Sequence, residues 1–208
     1  MAGSVGPPPD ATTESRDRSG HSVWRWLFHA TWGIVVVVAL QVLSPGRGLA
    51  VLVLALVLLA QVGVEWLRLR YERINRLFVG AFRLLVLPVE VGTVASSTWY
   101  TAGVMAAVAV LPREAALSGI LILALADPVA SLVGQRWGRH SLLGGSWEGT
   151  VGFLVVTLGV LLVRHEPLVA ILAAPIAALA ERLSGRLDDN LVMPLASGAI
   201  VWVLTLVV

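Results

Sequence analysis

The sequence predicts an all-α, polytopic integral membrane protein of about seven transmembrane helices with one interfacial amphipathic helix. Two observations lead there first. Hydrophobic residues make up 57% of the 208, charged residues only 13%, and mean hydropathy is +0.85, whereas a soluble domain is roughly a quarter charged. At about 20 apolar residues per crossing, the chain has room for six to eight spans and for no separate soluble domain. Arginine placement is the third observation. With the N-terminus inside, one membrane side collects Arg16, Arg18, Arg25, Arg68, Arg70, Arg73, Arg76, Arg83, Arg136, Arg139, Arg182 and Arg186, and the other only Arg47, Arg113 and Arg164. Positive charge concentrates in cytoplasmic loops, so the N-terminus and the arginine-rich loops are expected in the cytoplasm.

Residues 1–22, with Pro7, Pro8 and Pro9 and a mixed polar run, read as a disordered tail rather than a signal peptide, which would place its apolar stretch first. Residues 23–208 read as one transmembrane domain. Its apolar runs lie at about 27–43, 49–66, 96–111, 115–133, 150–163, 167–180 and 191–208, several of them shorter than the ~20-residue ideal. The stretch 67–90 sets Leu77, Phe78, Phe82, Leu84 and Leu85 among arginines. That pattern suits a helix at an anionic lipid surface, and a further crossing there would invert the arginine asymmetry downstream. No fixed-period repeat supports a solenoid or an inverted-repeat transporter.

Several chemistries are excluded by composition. The chain has no cysteine, hence no disulfide, thiolate nucleophile or zinc-thiolate site. All fifteen basic residues are arginine, so a Walker-type lysine loop and a kinase strand lysine are impossible. Phosphate must be handled by arginine or metal. The net charge of +2 reads as topological, with no nucleic-acid partner implied.

Polar residues within or beside the spans carry the chemical signal. A carboxylate at mid-bilayer costs roughly 2.5–3.5 kcal/mol on insertion scales, so Asp127 in LILALADPVASLVG needs a reason, and Pro128 beside it predicts a broken or kinked helix. The loop from Gly134 to Gly149 holds five glycines with Arg136, Arg139, Ser146 and Glu148. Glycine lets backbone N–H groups approach an anion, the arginines are bidentate donors, and Ser146 is placed to cap the following helix, so the loop reads as a phosphate cradle. The same composition also suits a flexible connector. A third cluster, Glu181 with Asp188, Asp189 and Asn190, offers hard oxygen ligands for magnesium, or a solvated charged loop. All three clusters fall on one membrane side, as a magnesium-nucleotide site at the lipid surface requires.

These residues resemble the CTP-dependent polyprenol (dolichol), phytol and diacylglycerol kinase family, itself similar to the phosphatidate cytidylyltransferases. Arg25 through His29 with Gly33 resembles the family's R-K-x-x-H motif, and Glu90 with Thr93 its E-x-x-x-T-G region. Ala126-Asp127-Pro128-Val129-Ala130 through Gly134, Arg136 and Gly138, then Ser146-Trp147-Glu148-Gly149, resembles GD-x-x-A-x-x-x-G-R-x-F-G followed by K-[ST]-x-E-G. Glu181 with Asp188-Asp189-Asn190 and Pro194 resembles E-x-x-x-x-x-x-x-D-N-x-x-x-P. The match runs over about residues 25–196. It departs at Ala126 and Trp137, and at Gly145, where the family has a lysine whose charge Arg139 or another arginine would have to supply.

The resemblance implies magnesium-dependent transfer of the terminal phosphate of CTP to the hydroxyl of a lipid alcohol. It implies Asp127, Glu181, Asp188 and Asp189 as metal and catalytic residues. Gly134, Arg136, Gly138, Ser146, Glu148 and Gly149 would hold the nucleotide, with Arg139 and Asn190 beside them. His29 would assist acceptor deprotonation or touch a phosphate. A cytidylyltransferase making a CDP-lipid, and a non-catalytic relative or transporter, stay open as alternatives. Acceptor identity and oligomeric state are not fixed by the residues.

Overall fold

The computed structural model describes residues 11–184 and 188–208, with side chains from residue 23 onward. Residues 1–10 of the expected tail, and Arg186 of the arginine-rich side, lie outside the described residues. The described chain forms eight α-helices: α1 (Ala11–Leu43), α2 (Arg47–Arg70), α3 (Glu72–Ala81), α4 (Ser96–Val110), α5 (Arg113–Trp137), α6 (Trp147–Arg164), α7 (Pro167–Leu183) and α8 (Asp189–Val207). A 3-10 turn over Pro88–Val91 precedes α4, and a two-stranded hairpin, β1 (Ser141–Leu142) with β2 (Gly145–Ser146), separates α5 from α6. Helix α1 begins inside the polar stretch read from composition as a tail, and its apolar crossing is Val23–Leu43.

Five helices are long and apolar enough to cross a membrane: Val23–Leu43 of α1, α2, α5, α6 and α8. This is the architecture of a polytopic membrane protein. Helices α4 and α7 coincide with the two other expected spans but have fifteen and seventeen residues, roughly 22 and 25 Å against a hydrocarbon core of ~30 Å. Large apolar side chains such as Leu52, Leu56, Leu59 and Val163 point outward, as they do where lipid replaces water as the surrounding solvent.

Helix α5 is central and is flanked by α1, α6 and α8, with α7 against α6 and α8 and α2 against α4. Its sequence is apolar nearly all round, which is the pattern of an enclosed helix: Leu117, Ile120, Ile122, Leu123, Ala124 and Ala126 are all buried. The break expected at Pro128 does not occur, and α5 runs without interruption from Arg113 to Trp137. Proline removes a single donor, and neighbouring helices can satisfy the freed carbonyl. Pro175 and Pro194 likewise lie inside α7 and α8.

Small residues set the closest helix approaches, as is usual where apolar burial cannot drive association. A Cβ added at Gly119 of α5 would collide with the Pro194 carbonyl oxygen of α8, and one at Gly103 of α4 with that of Asn190. In return, a Cβ at Gly198 would come 2.8 Å from the Ala115 carbonyl oxygen. The three arginines of the sparse side fasten helix ends. Arg47 donates to the Leu111 carbonyl at 2.9 Å, Arg113 to the Leu40 carbonyl, and Arg164 to Glu114 at 2.5 Å and Ser118 at 3.1 Å.

The expected interfacial stretch 67–90 is divided. Helix α2 extends to Arg70, Tyr71 breaks it in an extended conformation, and only α3 is a separate amphipathic helix, with Ile74 and Leu77 exposed. Packing predicts that Gly119→Val, which forces a branched side chain into backbone, destabilises the protein by at least ~1–3 kcal/mol. Thermal unfolding in detergent should show a midpoint lower by several degrees, at ~2–4 °C per kcal/mol for a chain of this size.

Candidate functional site

Two cavities open at the arginine-rich ends of the helices. The first, about 490 Å³, is polar and is lined by Asp127, Ala130, Ser131, Gly134 and Gln135 of α5, Gly144, Gly145, Ser146 and Gly149 around the hairpin, Glu181 and Arg182 of α7, and Asp189 of α8. Asp127 is half-buried, with Asp189, Glu181, Arg25 and Arg182 all within electrostatic range. Of the residues expected from sequence, Asp127, Gly134, Ser146, Gly149, Glu181 and Asp189 thus share one wall although they come from five elements, α5, β2, α6, α7 and α8.

Glycine chemistry builds this wall. Gly134 and Gly149 let α5 and α6 meet: a Cβ at Gly149 would lie 2.9 Å from the Ala130 carbonyl oxygen and 3.4 Å from the Gly134 Cα. The Ser146 hydroxyl accepts from the Gly149 N–H at 3.0 Å and so caps α6, as its position before the apolar run leads one to expect. The loop is not an open cradle. It is a hairpin whose central residues, Leu143 and Gly144, both have positive φ (44° and 82°), as a two-residue turn of the I′ type requires.

The guanidinium of Arg182 fills the space beside Gly145. A side chain there would overlap its Nη1, and a Cβ would lie 2.7 Å from its Cζ. Glu181, itself buried, pairs with the same guanidinium through both carboxylate oxygens. Arg182 is the site residue that sequence reasoning missed. The signal was the glycine at 145, which removes a cation from the hairpin and leaves room for one from elsewhere.

Other expected residues lie outside this wall. Arg136 and Arg139 are exposed, Arg136 over the Trp137 ring at 5.6 Å. Glu148 accepts from His140 Nδ1 at 2.7 Å. Gly138 packs against Ser146. Asp188 caps α8, accepting from the Asn190 backbone N–H at 3.0 Å and its side-chain amide at 2.9 Å. His29 is buried on α1 with its ring 5.0 Å from that of Tyr100. No group of three or more acidic or histidine side chains is positioned to hold a metal by itself among the described residues. Magnesium needs no such group, since it takes one or two carboxylates together with substrate phosphates and water, and Asp127 with Asp189 fits that pattern.

The second cavity, also about 490 Å³, is mostly apolar and lies between α1, α2, α3 and the start of α4. Two ion pairs, one buried and one partly buried, stand at its wall. Ala95, at the N-cap of α4, offers no side-chain cap, and two carboxylates substitute for one: Glu65 accepts from the Ala95 N–H at 3.2 Å and Glu90 from the Ser96 N–H at 3.0 Å, a favoured position for negative charge. Each has its cation. Arg25 donates to Glu90 at 3.0 Å and to the Ser96 hydroxyl at 2.6 Å. Arg68, fully buried, donates to Glu65 at 2.5 Å and to the Glu90 and Thr93 carbonyls at 2.9 and 2.5 Å. Burial opposes ionisation of Glu90, but hydrogen bonds from Ser96 and Leu87 and the Arg25 charge together hold its carboxyl below the usual carboxylate range.

Comparison with known proteins bears on this geometry. Aligned over 105 residues, the chain is 39% identical to a phytol kinase of Synechocystis sp., covering 44% of this chain and 45% of that relative. That identity supports a relationship to the phytol and polyprenol kinases. The chain thus spans less than half the length of the curated relative it matches. No family model and no solved structure matches it.

A depressed pKa contributes stability that is present above the unfolded-state value and lost as pH falls through the folded one. The thermal midpoint in detergent should therefore drop as pH falls below about 4.3, and Glu90→Gln should lower the midpoint at neutral pH while flattening that acid limb.

Proposed function

We propose that the protein is a lipid-alcohol kinase: it transfers the terminal phosphate of a nucleoside triphosphate, CTP by family resemblance, to the hydroxyl of a polyprenol, phytol-like or diacylglycerol acceptor. One observation carries this reading. Asp127, Glu181 and Asp189 meet a glycine hairpin, the capped start of α6 and one arginine in a single polar cavity. The partial identity to a phytol kinase agrees with it.

In this reading the positive end of α6 and the hairpin backbone receive the phosphates, and Arg182 neutralises them through Nη1, the nitrogen that faces the Gly145 gap and is not engaged by Glu181. The lysine that the resemblance carries at 145 is replaced by a cation delivered from α7. Asp127 and Asp189 would hold magnesium, which when bound supplies charge neutralisation across the transferring phosphoryl group, and Glu181, paired with Arg182 through both oxygens, would hold that cation in place. The bond from the lipid oxygen to the terminal phosphorus forms as the bond to the bridging oxygen breaks. CDP leaves, and a cavity carboxylate takes the hydroxyl proton. The protein's task is mainly positioning. The arginine-rich end, with both cavities, faces the cytoplasm, where nucleotide is supplied.

Label from γ-labelled CTP should enter phytol or polyprenol with release of CDP, and EDTA should abolish it. Transfer of α-label to a phosphorylated lipid, with pyrophosphate released, would replace this reading by a cytidylyltransferase. Asp189→Asn and Glu181→Gln should each slow turnover by ~10²–10³, the range for losing one group that stabilises transition-state charge, and a loss under threefold would remove the residue from the site. Arg182→Ala should raise the nucleotide KM at least tenfold. Gly145→Lys should restore it in the Arg182→Ala background and impair the wild type, because the two cations compete for one space.

A further inference from the structure

The apolar cavity is not used by the phosphate chemistry just described. Its walls are mostly hydrocarbon, with Val57 and Ala60 of α2, Phe78 of α3, and Phe82 and Leu85 after it among the lining. Its size falls within the ~300–1,000 Å³ of small-molecule sites.

Its polar groups select a kind of headgroup. The charged side chains that line it are already matched, Arg25 with Glu90 and Glu65 with Arg68 buried behind the wall, so the cavity offers no spare charge to a carboxylate or a phosphate. Two wall oxygens nevertheless lack a partner, Thr98 Oγ1 and Gln61 Oε1, both fully shielded from solvent, and Thr98 is only 6% exposed overall. Buried polar atoms are rarely left unpaired. A single hydroxyl can accept from the threonine and donate to the amide oxygen. The cavity wall reaches toward the phosphate site through packed side chains. His29 in that wall packs on Tyr100, whose hydroxyl meets Ala124, one turn before Asp127, over Gly33.

We propose that this cavity is the acceptor site, holding the hydrocarbon chain of a neutral lipid alcohol against Val57, Ala60 and Phe82 and its hydroxyl between Gln61 and Thr98. The assignment rests on the lipid-alcohol kinase reading, but binding can be tested apart from turnover.

The probe is a phytol analogue with a diazirine near its chain end, cross-linked in proteoliposomes without nucleotide. Label should map to α2 around Val57–Gln61 and to Phe78–Phe82, be displaced by excess phytol but not by phytanic acid, and fall at least tenfold in Ala60→Trp. Thr98→Val, nearly isosteric, should weaken displacement by phytol about three- to tenfold and leave displacement by the hydrocarbon phytane unchanged. Label spread over the outward faces at Leu52, Leu56 and Leu59, unaffected by both substitutions, would overturn the assignment. So would an active Ala60→Trp enzyme with an unaltered phytol KM, which would leave the kinase reading intact. Site-specific label on a wild-type protein that phosphorylates no alcohol would support the cavity and overturn the kinase reading instead.

Discussion

Direct backbone contact between α8 and its neighbours α4 and α5 determines where the chemistry-bearing groups sit. Gly103 and Gly119 meet the backbone of α8 directly, and Gly198 meets the Ala115 carbonyl beside the Leu111 side chain, so the register of α8 is set largely by carbonyl oxygens rather than by adaptable side chains. Asp189 begins α8 and Asp127 lies two turns beyond Gly119 on α5. Their proximity follows from that register. Interiors this close do not deform continuously, which gives a membrane protein without a large polar core a way to hold two carboxylates near each other.

The two cavities differ in how their charge is balanced. At the apolar one, each carboxylate serves a helix terminus and has its own arginine, so the ionised groups act as structure. Buried pairs of this kind add little net stability, but removing one partner strands the other at a cost of ~3–5 kcal/mol. At the polar cavity three carboxylates face one arginine. That excess of carboxylates over arginines sets the polar site apart from the charge-matched wall of the apolar one.

Much of the fold was legible because apolar runs bounded by arginine, proline and glycine mark helices whatever their neighbours. The co-location of Asp127, the glycine loop and the 181–190 cluster was legible too, since alternating crossings place all three at one end. Details that depend on who sits next to whom were not. Pro128 reads as a break in one dimension, whereas enclosure by α1, α6 and α8 sustains the helix. The glycine loop reads as open, because Leu143-Gly144 is not a familiar hairpin pair and its positive φ values are imposed by strand pairing. That Asp188, expected as a ligand, caps α8 through Oδ1 was not visible either. Arg182 entering the gap at Gly145, and Arg25 meeting Glu90 across 65 residues, have no local signature at all.

The position of Arg182 in the chain bears on biosynthesis. The hairpin leaves the ribosome before α7 does, yet the guanidinium that occupies its glycine gap lies near the end of α7, with Asp189 following on α8. A nascent chain inserted only through α6 therefore presents the hairpin with an empty notch and without two of the three acids. The polar cavity is therefore completed only once α7 and α8 have been made, and its walls cannot assemble in the order in which they are synthesised.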